Sequence, residues 1–361
     1  MPVDTINLTD TVKAAYEKAL RERGYVNVLI AGKTGTGKST LVNAVFNDRI
    51  AETGQGRPIT QHMRRYTKDG SPVSIYDTKG LEIVDYRKIL DDLQAKVREI
   101  NRSERPENHI HVAWLCIAEG ARRVEAAELE LAKILHEQSV PMVVVITTAV
   151  SDQGFRAEVR DAFHSASNVV RVNSEPYVMD EGLVAPVRGL DALVEVTMEV
   201  VPKGQKNAFA SAQRIKVDLK ANRSRAAIVT AAGLAAAAGA VPIPFSDAIA
   251  IVPIEVTMIA TISAIFGLDV TTGFLTTLVT SLLGATSGTV AGKALVGGLL
   301  KLIPGLGSVT GGMISAGVAA TLTTTLGEAY ISVLKNLIAE SPDRPLNGEE
   351  IAQALREWLK R

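Results

Sequence analysis

The chain has 361 residues, enough for two domains that each bury a core. Its 39 Lys and Arg balance 39 Asp and Glu, so no global field draws it to nucleic acid or anionic lipid; no nucleic-acid partner is expected, and a membrane must be read by a local patch. A single cysteine, Cys116, excludes an internal disulfide and a cysteine zinc cluster and suits a reducing compartment, where it serves as core filler.

The opening MPVDTINLTDTVKAAYEKAL lacks a basic segment followed by an apolar one, so no secretory signal is expected. Thr9 or Asp10 can cap an amphipathic helix to about Arg23, closed by Gly24. Val26 to Gly32 reads as a buried strand, Ser39 to Phe46 as a helix and Asn47 to Gln61 as a polar loop. Strands at about Met63 to Thr67 and Val73 to Asp77 flank a Lys68-Asp69-Gly70-Ser71 turn. Helix Tyr86 to Asn101, strand His111 to Ile117, helix Val124 to Glu137, strand Met142 to Thr147, helix Phe155 to Ala166, strand Val169 to Val172 and helix Leu190 to Val201 follow. Apolar strands alternating with amphipathic helices predict an α/β fold with a doubly wound, mostly parallel sheet. A charged connector runs from about Pro202 to Arg225, then comes an apolar half, and Asn347-Gly348-Glu349 leads an amphipathic helix to Arg361.

Gly32-Lys33-Thr34-Gly35-Thr36-Gly37-Lys38-Ser39 matches G-x-x-x-x-G-K-[ST] between a strand and a helix, the context that makes the motif a phosphate site. Its glycines let backbone N–H groups wrap a phosphate chain, and the helix that begins at Ser39 and Thr40 adds the positive end of its dipole. Lys38 is expected to bridge the β- and γ-phosphates, and Ser39 to offer its hydroxyl to Mg²⁺. Asp77-Thr78-Lys79-Gly80 stands at the tip of a core strand, so Asp77 is expected to hold a Mg²⁺ water and the Gly80 N–H to face the γ-phosphate. Between these motifs, Thr60 in Arg57-Pro58-Ile59-Thr60 is the candidate to complete the Mg²⁺ shell.

From about Val26 to Val201 the chain resembles the Era-like and Ras-like P-loop GTPases. The resemblance implies GTP and GDP as ligands, Mg²⁺ as cofactor, and Lys38, Thr60 and Gly80 nearest the chemistry. It also implies a base-reading [NT]-K-x-D loop after the strand that holds Val143 to Ile146. Thr147-Thr148-Ala149-Val150-Ser151-Asp152 stands there, without the lysine and with the aspartate two places late. Thr147, Thr148 and Asp152, with Ser174 after the next strand, therefore carry the expectation of guanine contact. Ras-like members follow D-x-x-G with a glutamine that orients water; Leu81 replaces it, as in Era-like members, which implies slow hydrolysis. Gly35 stands where potassium-activated relatives carry asparagine. Arg57, Arg64, Arg122 and Arg123 are charge-stabiliser candidates or solvated surface arginines.

Three stretches near membrane-spanning length lack ionisable residues: Ala226 to Ser246, Val270 to Gly292 and Leu302 to Gly327. Their Ala, Gly and Thr add little insertion energy, and prolines and glycines divide them. Gly284, Gly288 and Gly292, and again Gly307 and Gly311, place small residues on one helical face. Val241-Pro242-Ile243-Pro244-Phe245-Ser246-Asp247 recurs in outline as Leu302-Ile303-Pro304-Gly305-Leu306-Gly307-Ser308, which predicts two paired hairpins. Asp247, Glu255, Asp269 and Lys293 are then helix-end or surface charges, or functional groups if the block entered a bilayer. Trp358 is expected to pack on the bundle. Through these stretches and Leu326-Gly327-Glu328-Ala329-Tyr330, residues from about Arg225 to Tyr330 resemble the helical domain of unknown function of YcjF-type bacterial proteins, which implies membrane association.

The expected layout is an N-terminal helix (1–24), a P-loop GTPase domain (25–201), a helical connector (202–224), an all-α, Gly- and Ala-rich domain of two hairpins (225–337) and a tail with an amphipathic helix (338–361). The expected function is slow, Mg²⁺-dependent GTP hydrolysis that switches contact with a membrane surface or a protein partner through residues 225–337, in the cytoplasm or at the inner membrane. A nucleotide-dependent membrane-remodelling or pore-type effector and a nucleotide-binding scaffold with little turnover stand as alternatives. A homodimer is left open.

Overall fold

The computed structural model describes residues 5–46, 55–60, 62–78, 86–179, 182–239, 247–268, 271–283, 289–291, 316–342 and 344–359. β1 (Thr5–Asn7) and α1 (Leu8–Arg23) come first, and their segment clusters with Val217–Arg361 as one compact unit; Gly24–Lys216 forms the other.

The Gly24–Lys216 unit contains β2 (Val26–Gly32), α2 (Lys38–Val45), β3 (Gln55–Pro58), β4 (Met63–Thr67), β5 (Val73–Thr78), α3 (Tyr86–Asn101), β6 (Val112–Ala118), α4 (Ala126–Glu137), β7 (Met142–Thr147), α5 (Phe155–Ala162), β8 (Asn168–Arg171), β9 (Tyr177–Val178), β10 (Val184–Ala185), α6 (Leu190–Val200) and α7 (Lys206–Ala212). Seven strands make one sheet in the order β3-β4-β5-β2-β6-β7-β8. β5, β2, β6, β7 and β8 are parallel, and β3 and β4 add an antiparallel edge. Helices cover both faces, which is why β2 and β7 are buried at every position. On one face Leu29, Leu115, Val144 and Ile146 pack with Leu93, Leu131 and Phe155 of α3, α4 and α5. On the other, Trp114 stacks on Phe46 with ring centroids 5.7 Å apart, Phe209 of α7 meets Phe46 edge-on, and Trp114 Nε1 donates to Thr197 Oγ1 of α6 at 3.0 Å. Cys116 is fully buried in β6, and burial pushes its thiol up to about 12, so it is inert core filler as expected.

Part of the stretch expected as a polar loop is a strand: β3 pairs from Gln55↔Thr67 to Pro58↔Arg64. Its four residues carry no alternation of apolar and polar types, and Pro58 is tolerated because β3 lies at the sheet edge. The β9–β10 hairpin, two residues per strand, is likewise too short to announce itself by period.

The other unit adds α8 (Val217–Gly239), α9 (Asp247–Phe266), α10 (Thr272–Leu283), β11 (Thr289–Ala291), α11 (Ala316–Glu340) and α12 (Gly348–Leu359). Ile228, Met258, Ile262, Leu326, Tyr330 and Leu355 share its main core. α1 lays Val12, Ala15 and Ala19 against Val252, Val256, Ala260 and Ala264 of α9. Alanines on both sides permit a close approach, since interaxial distance follows side-chain size. The N-terminal helix is thus part of this bundle, and β1 pairs with β11 from Thr5↔Ala291 to Asn7↔Thr289, a small ribbon in a region expected to be all-α. α8 runs without a break through the expected connector boundary.

Glu255 is not a helix-end or surface charge: it sits inside α9, 2% exposed, with Thr323 Oγ1 donating to its Oε1 at 2.9 Å. Trp358 is 37% exposed, and Ile351, Ala352 and Leu355 seat α12 instead. The proline-centred segments 241–246 and 302–308, Gly284, Gly288, Gly292, Gly307, Gly311, Asp269, Lys293 and the side chain of Asp247 lie outside the described residues. Among the described residues, no helix is long and apolar enough to cross a membrane.

Candidate nucleotide site

The C-terminal ends of β5, β2, β6, β7 and β8 lie along one edge of the parallel sheet, the edge at which open α/β sheets bind ligands. β2 ends at Gly32, where φ is +144° and a Cβ would lie 2.3 Å from the Cys116 carbonyl oxygen, so only glycine fits. Gly35 and Gly37 turn the following loop through φ of +78° and +75° and deliver it to α2. Thr36 Oγ1 donates to Lys33 O at 2.9 Å and closes the turn. Lys38 Nζ donates to Gly32 O at 2.9 Å and Lys33 O at 2.7 Å, which places its ammonium across the same loop. Ser39 and Thr40 follow in the first turn of α2.

Asp77, next to last in β5, lies in register with Ile30 of β2 and Arg64 of β4. Burial pushes its carboxyl above the usual range, and Lys38 and Arg64 draw it back. Its Oδ1 is buried without a hydrogen-bond partner. A buried carboxylate oxygen that lacks a donor, beside a phosphate-binding loop and its lysine, fits a divalent cation, with Ser39 and Asp77 as the residues that would hold it. Thr60 lies in the β3–β4 turn, where its N–H donates to Met63 O at 3.1 Å and its Oγ1 accepts from the His62 N–H at 3.0 Å. Met63 pairs with Thr78, so this turn is at the same end of the sheet as Asp77. Gly80 and Leu81 lie outside the described residues.

A cleft of about 140 Å³ beside the loop is lined by Lys33, Thr34, Gly35, Arg123, Glu125 and Glu128 among others. Lys33 pairs with Glu125 and holds that carboxyl below its usual range, and Arg123 Nε lies 3.0 Å from the same carboxylate. Glu125 in turn forms a capping box with Glu128 at the start of α4. Arg123 is therefore neutralised locally, and Arg64 faces Asp77 across the strand pair; the Arg57 side chain is outside the described set.

β7 ends at Thr147, buried, its Oγ1 donating to Ile117 O at 3.3 Å, and the β7–α5 loop follows. Thr148 and Gln153 take φ of +50° and +44°, so the backbone doubles back twice. Asp152 Oδ1 accepts the Arg156 N–H at 2.8 Å and thereby caps α5, a role that the sequence reading did not assign to it. Ser174 follows Asn173, whose side-chain amide donates to Ala185 O and Pro186 O at 3.2 and 2.9 Å. Sequence reasoning missed Glu119, Arg171 and Arg188, which surround this loop. Glu119 directly follows an apolar strand at the ligand-binding edge, and that position was the available signal.

Residues 27–148 match the model of the 50S ribosome-binding GTPase family, and residues 206–359 match that of DUF697, a domain of unknown function. The chain joins a GTPase-family domain to a domain of unknown function. Over 103 residues it is 37% identical to magnetosome membrane protein 22 of Magnetospirillum gryphiswaldense, covering 28% of this chain and 52% of that protein, so the chain spans about half its length. The probable GTP-binding protein EngB of Lactococcus lactis is 23% identical over 149 residues, 41% of this chain and 75% of EngB. Among solved structures, a probable GTP-binding protein EngB matches 48% of this chain and 98% of its own with a TM-score of 0.34 and 14% identity. An Era variant of Aquifex aeolicus, bound to GDP and aluminium fluoride, matches 50% of this chain and 58% of its own with a TM-score of 0.32 and 14% identity.

Proposed function

We propose that the chain is a GTP-binding conformational switch that hydrolyses GTP slowly with Mg²⁺ and relays its nucleotide state to a membrane surface or protein partner through residues 225–337. The observation that carries the reading is the buried, partnerless Oδ1 of Asp77 beside the loop that Lys38 spans. Bound Mg²⁺ and GTP would supply a terminal phosphoryl group activated for attack by water. The backbone from Gly32 to Ser39 would orient the phosphates, Lys38 would offset their charge, Ser39, Asp77 and Thr60 would hold the metal, and Gly80 would offer an N–H. Thr147, Thr148, Asp152 and Ser174 meet the base. The side chain of a leucine at position 81 can neither donate nor accept a hydrogen bond, so it would not orient water, and slow turnover is expected.

Competition for bound, labelled GDP by GTP, GDP, ATP and ADP tests this. Guanine nucleotides should win by about a hundredfold, about 2.7 kcal/mol, and Lys38→Ala should abolish binding of all four. Equal competition by adenine nucleotides would sink the guanine reading while sparing the phosphate site.

A membrane is favoured as the contact by one observation: residues 226–239 of α8 carry no ionisable side chain yet leave Val229 and Leu234 73% and 49% exposed. The magnetosome relative bears the name of a membrane protein. Flotation with liposomes should recover the chain with a GTP analogue and not with GDP; absence from the lipid fraction in both states would leave a protein partner.

A further inference from the structure

We propose that Glu119 and Arg171 are positioning residues of the nucleotide site, and that their partly buried ion pair holds the β7–α5 loop in the shape from which it meets the base. The proposal rests on the nucleotide reading above and goes beyond it, because neither residue belongs to a phosphate, metal or base motif.

Glu119 stands just beyond β6 and Arg171 ends β8, so the pair reaches across the tip of β7, the strand between them. Glu119 is 2% exposed; its Oε1 accepts Arg171 Nε at 2.7 Å, and its Oε2 accepts the Ser151 N–H at 2.6 Å. One carboxylate therefore binds both a strand end and the loop backbone. Arg171 Nε also lies 3.9 Å from Asp152 Oδ1. Two further arginines bind loop carbonyls: Arg122 donates to Ser151 O and Asp152 O, and Arg188 donates to Ala149 O. Three charged side chains, Glu119, Arg122 and Arg188, thus bind the backbone of the short loop between β7 and α5, and Arg171 fixes the first of them. Burying an ion pair is costly unless further hydrogen bonds complete it, and here the Ser151 N–H does so.

The experiment measures affinity of the full chain for Mg²⁺·GDP and for Mg²⁺·pyrophosphate, the second probing the phosphate cradle alone. Glu119→Gln and Arg171→Lys keep size and polarity, and Arg122→Ala, at an exposed position, serves if either fails to fold by circular dichroism. GDP affinity should fall at least tenfold in each folded variant, with pyrophosphate affinity within twofold of wild type. GDP and pyrophosphate weakening in parallel, or neither changing, would overturn the proposal, because the pair would then serve the fold at large or nothing at the base. Wild type that binds pyrophosphate but not GDP more tightly would overturn the base reading itself and this proposal with it.

Discussion

Glu255 shows how a single side chain in the helical unit is set by its surroundings. Thr323 of α11 donates to its Oε1 at 2.9 Å. Its Oε2 is buried without a partner, and burial raises its carboxyl to about 7, opposed only by the Thr323 bond. Raised folded-state affinity for the proton fixes the sign. Below the ordinary carboxylate range both folded and unfolded chains hold the proton, and no penalty arises. Between that range and about 7 the folded chain alone holds it, so stability falls as pH rises, and the full penalty stands above about 7. Its size is on the order of a few kcal/mol. Glu255→Gln removes the titration. The stability difference between variant and wild type in urea should therefore shift in the variant's favour from pH 5 to pH 8, and parallel curves would mean that the carboxyl is not held neutral by burial.

At the scale of elements, the α8–α11 crossing depends on Gly327. A Cβ there would lie 2.6 and 2.8 Å from two atoms of the Ile228 side chain and 3.1 Å from Met258 Sδ. Alanine would gain about 1 kcal/mol of helix propensity, but pushing Ile228 aside in a filled core costs about 1–3 kcal/mol. Gly327→Ala should lower the melting temperature, and adding Ile228→Val should recover part of the loss, as contacting sites couple. Elements of this kind were legible in the sequence where period and length were sufficient: β2, β4 and β7 and helix α3 fall at the expected residues. Gly32 to Ser39 was legible because a short motif encodes it. β3, with four residues and a proline, was not, because edge pairing is decided by β4 and not by its own pattern. The Glu119–Arg171 pair was not legible because its members are 52 residues apart and only the parallel order of β6, β7 and β8 brings them together. The burial of Glu255 was missed for the same reason: its hydroxyl partner is on a helix 68 residues away in sequence.

At the scale of the molecule, a switch must do more than bind nucleotide. The two nucleotide states have to differ in free energy between arrangements of the helical unit, since a ligand shifts an equilibrium only by its differential affinity for the states. The apolar composition of that unit gives it few charges with which to respond; apart from the Arg225–Glu328 and Lys335–Asp218 pairs, the faces of α8 and α11 are tied mostly by packing. Packed helices respond by discrete shifts, not by graded bending, because close-packed side chains have few alternative fits. Amide hydrogen exchange on the full chain with GDP and then with a non-hydrolysable GTP analogue reads such a shift. Coupling of about 1–3 kcal/mol should appear as a roughly fivefold to hundredfold change in protection within α8, α9 or α11, beyond the change expected in the loops around Lys38 and Thr60, and Lys38→Ala should abolish both. Changes confined to Gly24–Lys216 would remove the relay: the helical unit would then be an anchor whose contacts are the same in every nucleotide state, and the GTPase domain would have to find its effector on its own surface.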